Sequence, residues 1–236
     1  MNGGGYIISI RDVTKRYGSI PALHHVSFEF RDGNVTAIMG ENGAGKSTLL
    51  KICAGVLPFD TGSVFIDSYS IVRDGIKARE RLGYLPEIPY LYDRLTGREF
   101  LYYIASLRHI EESDAIIDKY AENLGILTNL DYEIGGYSKG MKQKISIISA
   151  LIHNPSNVLL DEPVWGLDPL TARTLQQFIL NHSGTIVIAT HAASLVEQLA
   201  DDVYVLSQGQ VAIHGMVDGI INEYGSVEDA FFQVTG

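Results

Sequence analysis

The stretch "GENGAGKST" (Gly40–Thr48) matches the spacing G-x-x-x-x-G-K-[ST]. Gly40, Gly43 and Gly45 let the backbone curl until its N–H groups face inward, as an anion requires. Asn42, Ala44 and Thr48 complete the loop and its exit. A helix predicted from about Lys46 to Ala54, stopped by Gly55, adds the positive end of its dipole. Lys46 reaches terminal phosphates, and the Ser47 hydroxyl can ligate Mg²⁺. The context agrees, because "NVTAIM" (Asn34–Met39) reads as a short strand running straight into Gly40.

A partner for this loop lies downstream in "NVLLDEP" (Asn157–Pro163). An apolar strand ends there in two carboxylates, at the edge where parallel sheets bind ligands. Asp161 can hold Mg²⁺ through a water, and Glu162, pointing elsewhere, can take a proton from an attacking water. "NVLLD" and "TIVIA" (Thr185–Ala189) are near-continuous apolar runs of the kind that buried parallel strands show, and "DVYVLS" (Asp202–Ser207) is a further strand. Asp168-Pro169 supplies an N-cap and a first-turn proline to a helix ending near Gly184.

A second phosphate-facing helix start stands in "YSKGM" (Tyr137–Met141). Ser138 can cap that helix, and the Gly140 N–H is one of its orphan first-turn donors. The segment around it is helical. Thr96 to Glu99 forms a capping box with a Leu95–Phe100 staple, on a helix running to about Leu107. Ile116, Ile117, Tyr120, Ala121 and Leu124 share one face of the next helix. The opening third is strand-like instead: "YIISI", a turn at Tyr17-Gly18, then "HVSFEF" with Val26, Phe28 and Phe30 on one face, and a hairpin-type turn at Asp32-Gly33.

Composition narrows the partners. A net charge of -10 with no Lys/Arg tract gives no basic face for duplex nucleic acid. Cys53 is the single cysteine, so neither an internal disulfide nor a multi-cysteine zinc site is available, and a reducing intracellular compartment fits. It sits in an apolar helix and reads as packing, and the histidines outside "ATH" lack metal-ligand spacing. The start, "MNGGGYIISIRD", lacks the pattern of a signal peptide, and no apolar run approaches the ~20 residues that span a bilayer.

Taken together, these motifs resemble the nucleotide-binding subunit of an ATP-binding cassette (ABC) transporter, over nearly the whole chain and in the right order. "GENGAGKST" matches Walker A and "VLLDEP" Walker B. Tyr17 stands where the family stacks an aromatic on adenine, and Glu87, in "GYLPE", where it usually carries Gln. "YSKGM" stands at the L-S-G-G-Q signature, "WGLDP" (with Asp168) at the D-loop, and His191, in "ATH", at the switch histidine.

The resemblance implies an α/β fold: a P-loop NTPase core with a parallel sheet, an N-terminal antiparallel β sub-domain and an inserted helical sub-domain. Residues 1–236 would form one domain, with the helical part at about 88–150. It also implies a head-to-tail dimer, of two copies or with a second ATP-binding subunit, each ATP lying between one chain's Walker A loop and the other's signature. One chain then needs two phosphate-facing helix starts because each serves a different nucleotide. Implied too are Mg²⁺-ATP hydrolysis, with Lys46, Glu162 and His191 catalytic, Mg²⁺ on Ser47 and near Glu87 and Asp161, and docking on a separate transmembrane permease subunit at the cytoplasmic face of the membrane. "EIPYLYDRL" (Glu87–Leu95) suits that docking. "GYLPE", "YSKGMKQK" and the tail resemble the subgroup serving drug, antibiotic-peptide or polysaccharide exporters.

The departures are specific. Lys139 adds positive charge near the partner's phosphates. Trp165 replaces a small residue and either packs at the dimer seam or slows catalysis. Rival readings are an assembly or regulatory ATPase with the same engine, and a small-molecule kinase, which would have no use for "YSKGM" or "WGLDP". A GTPase is disfavoured, since no N-K-x-D motif occurs.

Overall fold

The computed structural model describes residues 6–235; "MNGGG" and Gly236 lie outside the described residues. In chain order the elements begin with β1 (Tyr6–Tyr17), β2 (Ile20–Arg31), β3 (Val35–Gly40), α1 (Lys46–Cys53), β4 (Thr61–Ile66), β5 (Tyr69–Ser70), α2 (Gly75–Glu80) and β6 (Leu82–Leu85). Three helices follow, α3 (Gly97–Leu107), α4 (Ser113–Asn123) and α5 (Lys139–Leu151). The remainder alternates: β7 (Asn157–Asp161), α6 (Pro169–Asn181), β8 (Thr185–Thr190), α7 (Ala193–Leu199), β9 (Asp202–Ser207), β10 (Gln210–Met216), α8 (Val217–Tyr224) and α9 (Val227–Thr235).

Two sheets result. The first is antiparallel, in the order β2-β1-β4-β5. Its alternation follows the sequence: Val26, Phe28 and Phe30 are buried while Ser27 and Glu29 face out. The second has the order β10-β9-β3-β8-β7-β6, parallel except for β10. β3, β7 and β8 are buried along their whole length, as strands covered on both faces must be.

The turn at Asp32-Gly33 corrects an expectation. It does not close a hairpin; it carries the chain from one sheet into the other, and β3 pairs with β8 and β9. A strand apolar on both faces needs the middle of a covered sheet, which the half-exposed β2 cannot offer. The helix expected to end near Gly184 stops earlier, at Asn181. Gly184 has a different task, since a Cβ there would lie 2.0 Å from the Ser156 carbonyl oxygen. The terminal helices α8 and α9 had no local signal strong enough to predict them.

Helix α1 lies between the sheets. Leu49, Leu50 and Ile52 share a core with Ile8, Phe28 and Phe30 on one side and Ile38, Leu159 and Val187 on the other. Cys53 belongs to that core, and burial pushes its thiol up to about 12, so it packs and does not react. Helices α3, α4 and α5 pack with Leu85, Val158, Leu160 and Ile188 in a second core, which also holds Leu95 and Phe100. The Thr96 capping box is complete: Thr96 Oγ1 accepts from Glu99 N at 3.1 Å, and Glu99 Oε2 accepts from Thr96 N at 2.9 Å.

Register places the working ends together. Met39 faces Thr190, Asp161 faces Ala189 and Leu85 faces Leu160. The carboxyl ends of β3, β6, β7 and β8 therefore share one edge, as ligand sites of parallel sheets do.

Gly184→Ala should lower stability by about 1–3 kcal/mol, because the new methyl group meets backbone that cannot rotate away. Urea unfolding reads this as a lower midpoint at unchanged slope; an unshifted midpoint would mean that the two segments separate freely.

Candidate nucleotide site

Residues of the β3–α1 loop ring one side of a cleft of about 430 Å³, and Glu87, Glu162, Trp165 and His191 form the facing wall. The loop's shape depends on glycine. Gly43 and Gly45 have φ of 85° and 109°, and a Cβ on Gly45 would lie 2.5 Å from the Ala22 carbonyl oxygen of β2. The antiparallel sheet thus backs the loop directly. Asn42, Lys46, Ser47 and Thr48 line the cleft, and the amides of α1's first turn have no acceptor within the helix. Gly40 and Ala44 lie behind this surface, with Ala44 buried against the core.

Lys46 is the central charge. Its side chain is buried and donates to the carbonyl oxygens of Gly40 at 2.6 Å and Glu41 at 3.0 Å. Burial lowers its pKa, against the opposing pull of the Glu162, Asp161, Glu87 and Glu41 carboxylates. One ammonium thus stands among several acids.

Asp161 is fully buried beneath the cleft. Its Oδ1 accepts from Ser47 Oγ at 3.1 Å, while its Oδ2 is buried with no hydrogen-bond partner among the described residues. Burial, reinforced by Glu87 and Glu162, raises its pKa to about 6 even though the Ser47 bond opposes this. An orphaned carboxylate oxygen beside a hydroxyl and a second carboxylate is a hard-oxygen donor set with surplus negative charge. It fits a small divalent cation held by Ser47, Glu87 and Asp161.

Glu162 follows with φ of 47°, a left-handed backbone that turns its side chain away from that of Asp161. Its carboxylate is held from three directions: by Thr190 Oγ1 at 3.1 Å, the His191 backbone N–H at 3.1 Å and His191 Nδ1 at 2.7 Å. His191 reaches it because β8 neighbours β7 and ends at Thr190, directly before the histidine.

The second helix start lies outside this cleft. Ser138 caps α5, its hydroxyl accepting from Met141 N at 3.3 Å. Gly140 packs closely on the loop after Glu162, since a Cβ on it would come within 3.0 Å of the Gly166 carbonyl oxygen. Asp168 caps α6 and pairs with Lys144 at 3.1 Å; hydrogen bonds from Thr171 and this lysine hold its pKa well below the carboxylate range. Tyr17 does not line the cleft: it stands exposed at the β1–β2 turn, with the Lys15 ammonium 5.4 Å from its ring centre.

Glu41 and Thr190 escaped the sequence reading of the site, and Trp165 enters it only as a departure from the family pattern. Glu41 and Trp165 line the cleft, and Thr190 orients Glu162. Trp165 was visible as an oddity of "WGLDP", whereas nothing local to Thr190 announces its partner. Within its own chain, the Lys139 ammonium lies 2.8 Å from the centre of the Trp165 ring.

The pKa of Asp161 has a consequence for stability. A carboxylate raised from the ordinary 3.8 to about 6 leaves the folded state with more bound protons than the unfolded state between those values. Stability should therefore fall as pH rises from about 4 to 6 in EDTA, by about 2–3 kcal/mol, and then level off. Asp161→Asn should flatten this slope and exceed the parent's melting temperature at pH 7 in EDTA. Parallel curves for the two proteins would contradict the burial cost.

The ABC transporter family model matches residues 23–165. The chain is 33% identical over 226 residues, 91% of each chain, to "ABC transporter ATP-binding protein NatA" of Bacillus subtilis (strain 168). It is 32% identical over 209 residues to "Bacitracin transport ATP-binding protein BcrA" of Bacillus licheniformis, covering 87% of this chain and 68% of the other. A solved structure titled "Structure of ATP binding subunit of ABC transporter" superposes with a TM-score of 0.91 at 28% identity, covering 98% of this chain and 100% of that one. The chain belongs to the ABC transporter family, among its ATP-binding, ATP-hydrolysing subunits.

Proposed function

We propose that this chain hydrolyses Mg²⁺-ATP between two ATP-binding subunits paired head to tail, and drives export through a separate transmembrane permease subunit. One observation carries the hydrolytic part: the Glu162 carboxylate, gripped by Thr190 and His191, faces the Lys46 loop across a single cleft. Water attacks the γ-phosphorus in line, the bond to the β–γ bridging oxygen breaks, and the water's proton passes to Glu162. Lys46 and the loop amides take up the charge that develops on the phosphoryl oxygens. His191 holds Glu162 in place and braces the γ-phosphate. Mg²⁺, held by Ser47 and Glu87 with Asp161 behind them, neutralises phosphate charge when bound. Tyr17, on its exposed turn, is the surface on which adenine stacks, a contact worth about 1–3 kcal/mol.

Ser138 and Gly140 serve the partner chain's nucleotide, their orphan donors meeting its γ-phosphate, while Asp168 stands at the seam. ADP leaves those donors unmet, so hydrolysis loosens the pair. The chain works as one domain, with residues of about 88–150 as its helical arm.

The permease reading is supported by surface chemistry. Ile88, Tyr90 and Tyr92, just after Glu87, are exposed, whereas Leu91 and Leu95 pack inward. No helix among the described residues is long and apolar enough to cross a membrane. Export is favoured by likeness to a protein named for bacitracin transport.

Glu162→Gln should retain ATP, form a dimer with MgATP by size-exclusion chromatography, and lose hydrolysis by about 10²–10⁴-fold. Near-parental hydrolysis would remove Glu162 from the role. Lys46→Ala should lose nucleotide binding in equilibrium dialysis, and unchanged affinity would contradict the loop's assignment. Pull-down of a membrane protein whose presence alters turnover would separate a transporter subunit from an assembly ATPase.

A further inference from the structure

The loop from Pro163 to Leu167 joins two fixed points. Upstream, Glu162 is pinned by Ala189, Thr190 and His191; downstream, Asp168 is pinned by Thr171 and Lys144. Between them the loop projects Trp165, the chain's single tryptophan, which is 48% exposed and lines the cleft. An indole so placed would be wetted on its face, yet the Lys139 ammonium stands 2.8 Å from its centre. The aliphatic part of Lys139 also runs beside Gly166. Lys142 and Lys144, by contrast, pair with Asp93 and Asp168; among the described residues Lys139 has no carboxylate partner. Its charge therefore resides on the ring, where the quadrupole attracts it.

We propose that the Lys139–Trp165 stack is a latch that fastens the wall of the cleft to the first turn of α5. The wall carries Glu162, and the turn carries Ser138 and Gly140. On the reading given under Proposed function, on which this rests, those two features serve different nucleotides, so the stack makes them move as one body. Lys139 and Trp165 are positioning residues. They act through the loop that holds Glu162, and they leave the phosphate-binding loop untouched.

The test uses the single tryptophan as its own probe. Parent, Lys139→Arg and Lys139→Ala proteins are compared by acrylamide quenching of Trp165 emission without nucleotide, and by steady-state hydrolysis with MgATP. Lys139→Ala should open the ring to quencher, while Lys139→Arg keeps a cation on it and stays shielded. Turnover should fall about two- to fivefold in Lys139→Ala at nearly constant KM, and return in Lys139→Arg. A general loss of fold would lower the melting temperature and move KM as well. Identical quenching in all three proteins would overturn the latch, as would equal turnover in parent and Lys139→Ala. If none of the three hydrolysed ATP, the hydrolase reading would fail, while quenching without nucleotide would still decide whether the stack forms.

Discussion

The β3–α1 loop turns its own amides toward the cleft, and a backbone does that at a cost unless everything behind it is fixed. Here β3 is buried on both faces, β2 presses against Gly45 from one side and α1 is wedged between two sheets. The cradle is rigid because the core around it leaves it one conformation. The other functional side chains inherit that rigidity through strand register, since β6, β7 and β8 deliver Glu87, the two acids and His191 to the edge that β3 reaches.

Charge balance follows from the same burial. Lys46 stands among Glu41, Glu87, Asp161 and Glu162, and burial lowers the pKa of the lysine and raises that of Asp161. A site with one ammonium and several carboxylates is unsuited to binding an anion alone. A divalent cation held by Ser47, Glu87 and Asp161 would offset that negative charge, and the orphaned Asp161 oxygen fits such a donor set.

Helix α5 ties the molecule's parts together. "YSKGMKQK" reads as a basic run, yet in the fold its lysines are distributed: Lys139 to Trp165, Lys142 to Asp93 and Lys144 to Asp168. Each of the three lysines of this segment is thus directed to a different partner. The helix instead touches the segment that follows Glu87 and the loop that follows Glu162, the two stretches that leave the wall facing the β3–α1 loop.

Much of this was legible in sequence where the signal is local. The glycine spacing of residues 40–48, the Thr96 capping box, the alternation of residues 26–30 and the apolar runs of β7 and β8 each act within a few residues, and each element formed where expected. The Asp32-Gly33 turn was misread, and Gly184 misassigned, because their roles depend on what lies across a sheet and not along the chain. The bond of Ser47 to Asp161, the grip of Thr190 on Glu162 and the stack of Lys139 on Trp165 join residues far apart in sequence. Sequence by itself determined which residues had the chemistry. Only the tertiary structure decided which of them meet, because strand order and register set those distances, and neither is encoded in any one segment.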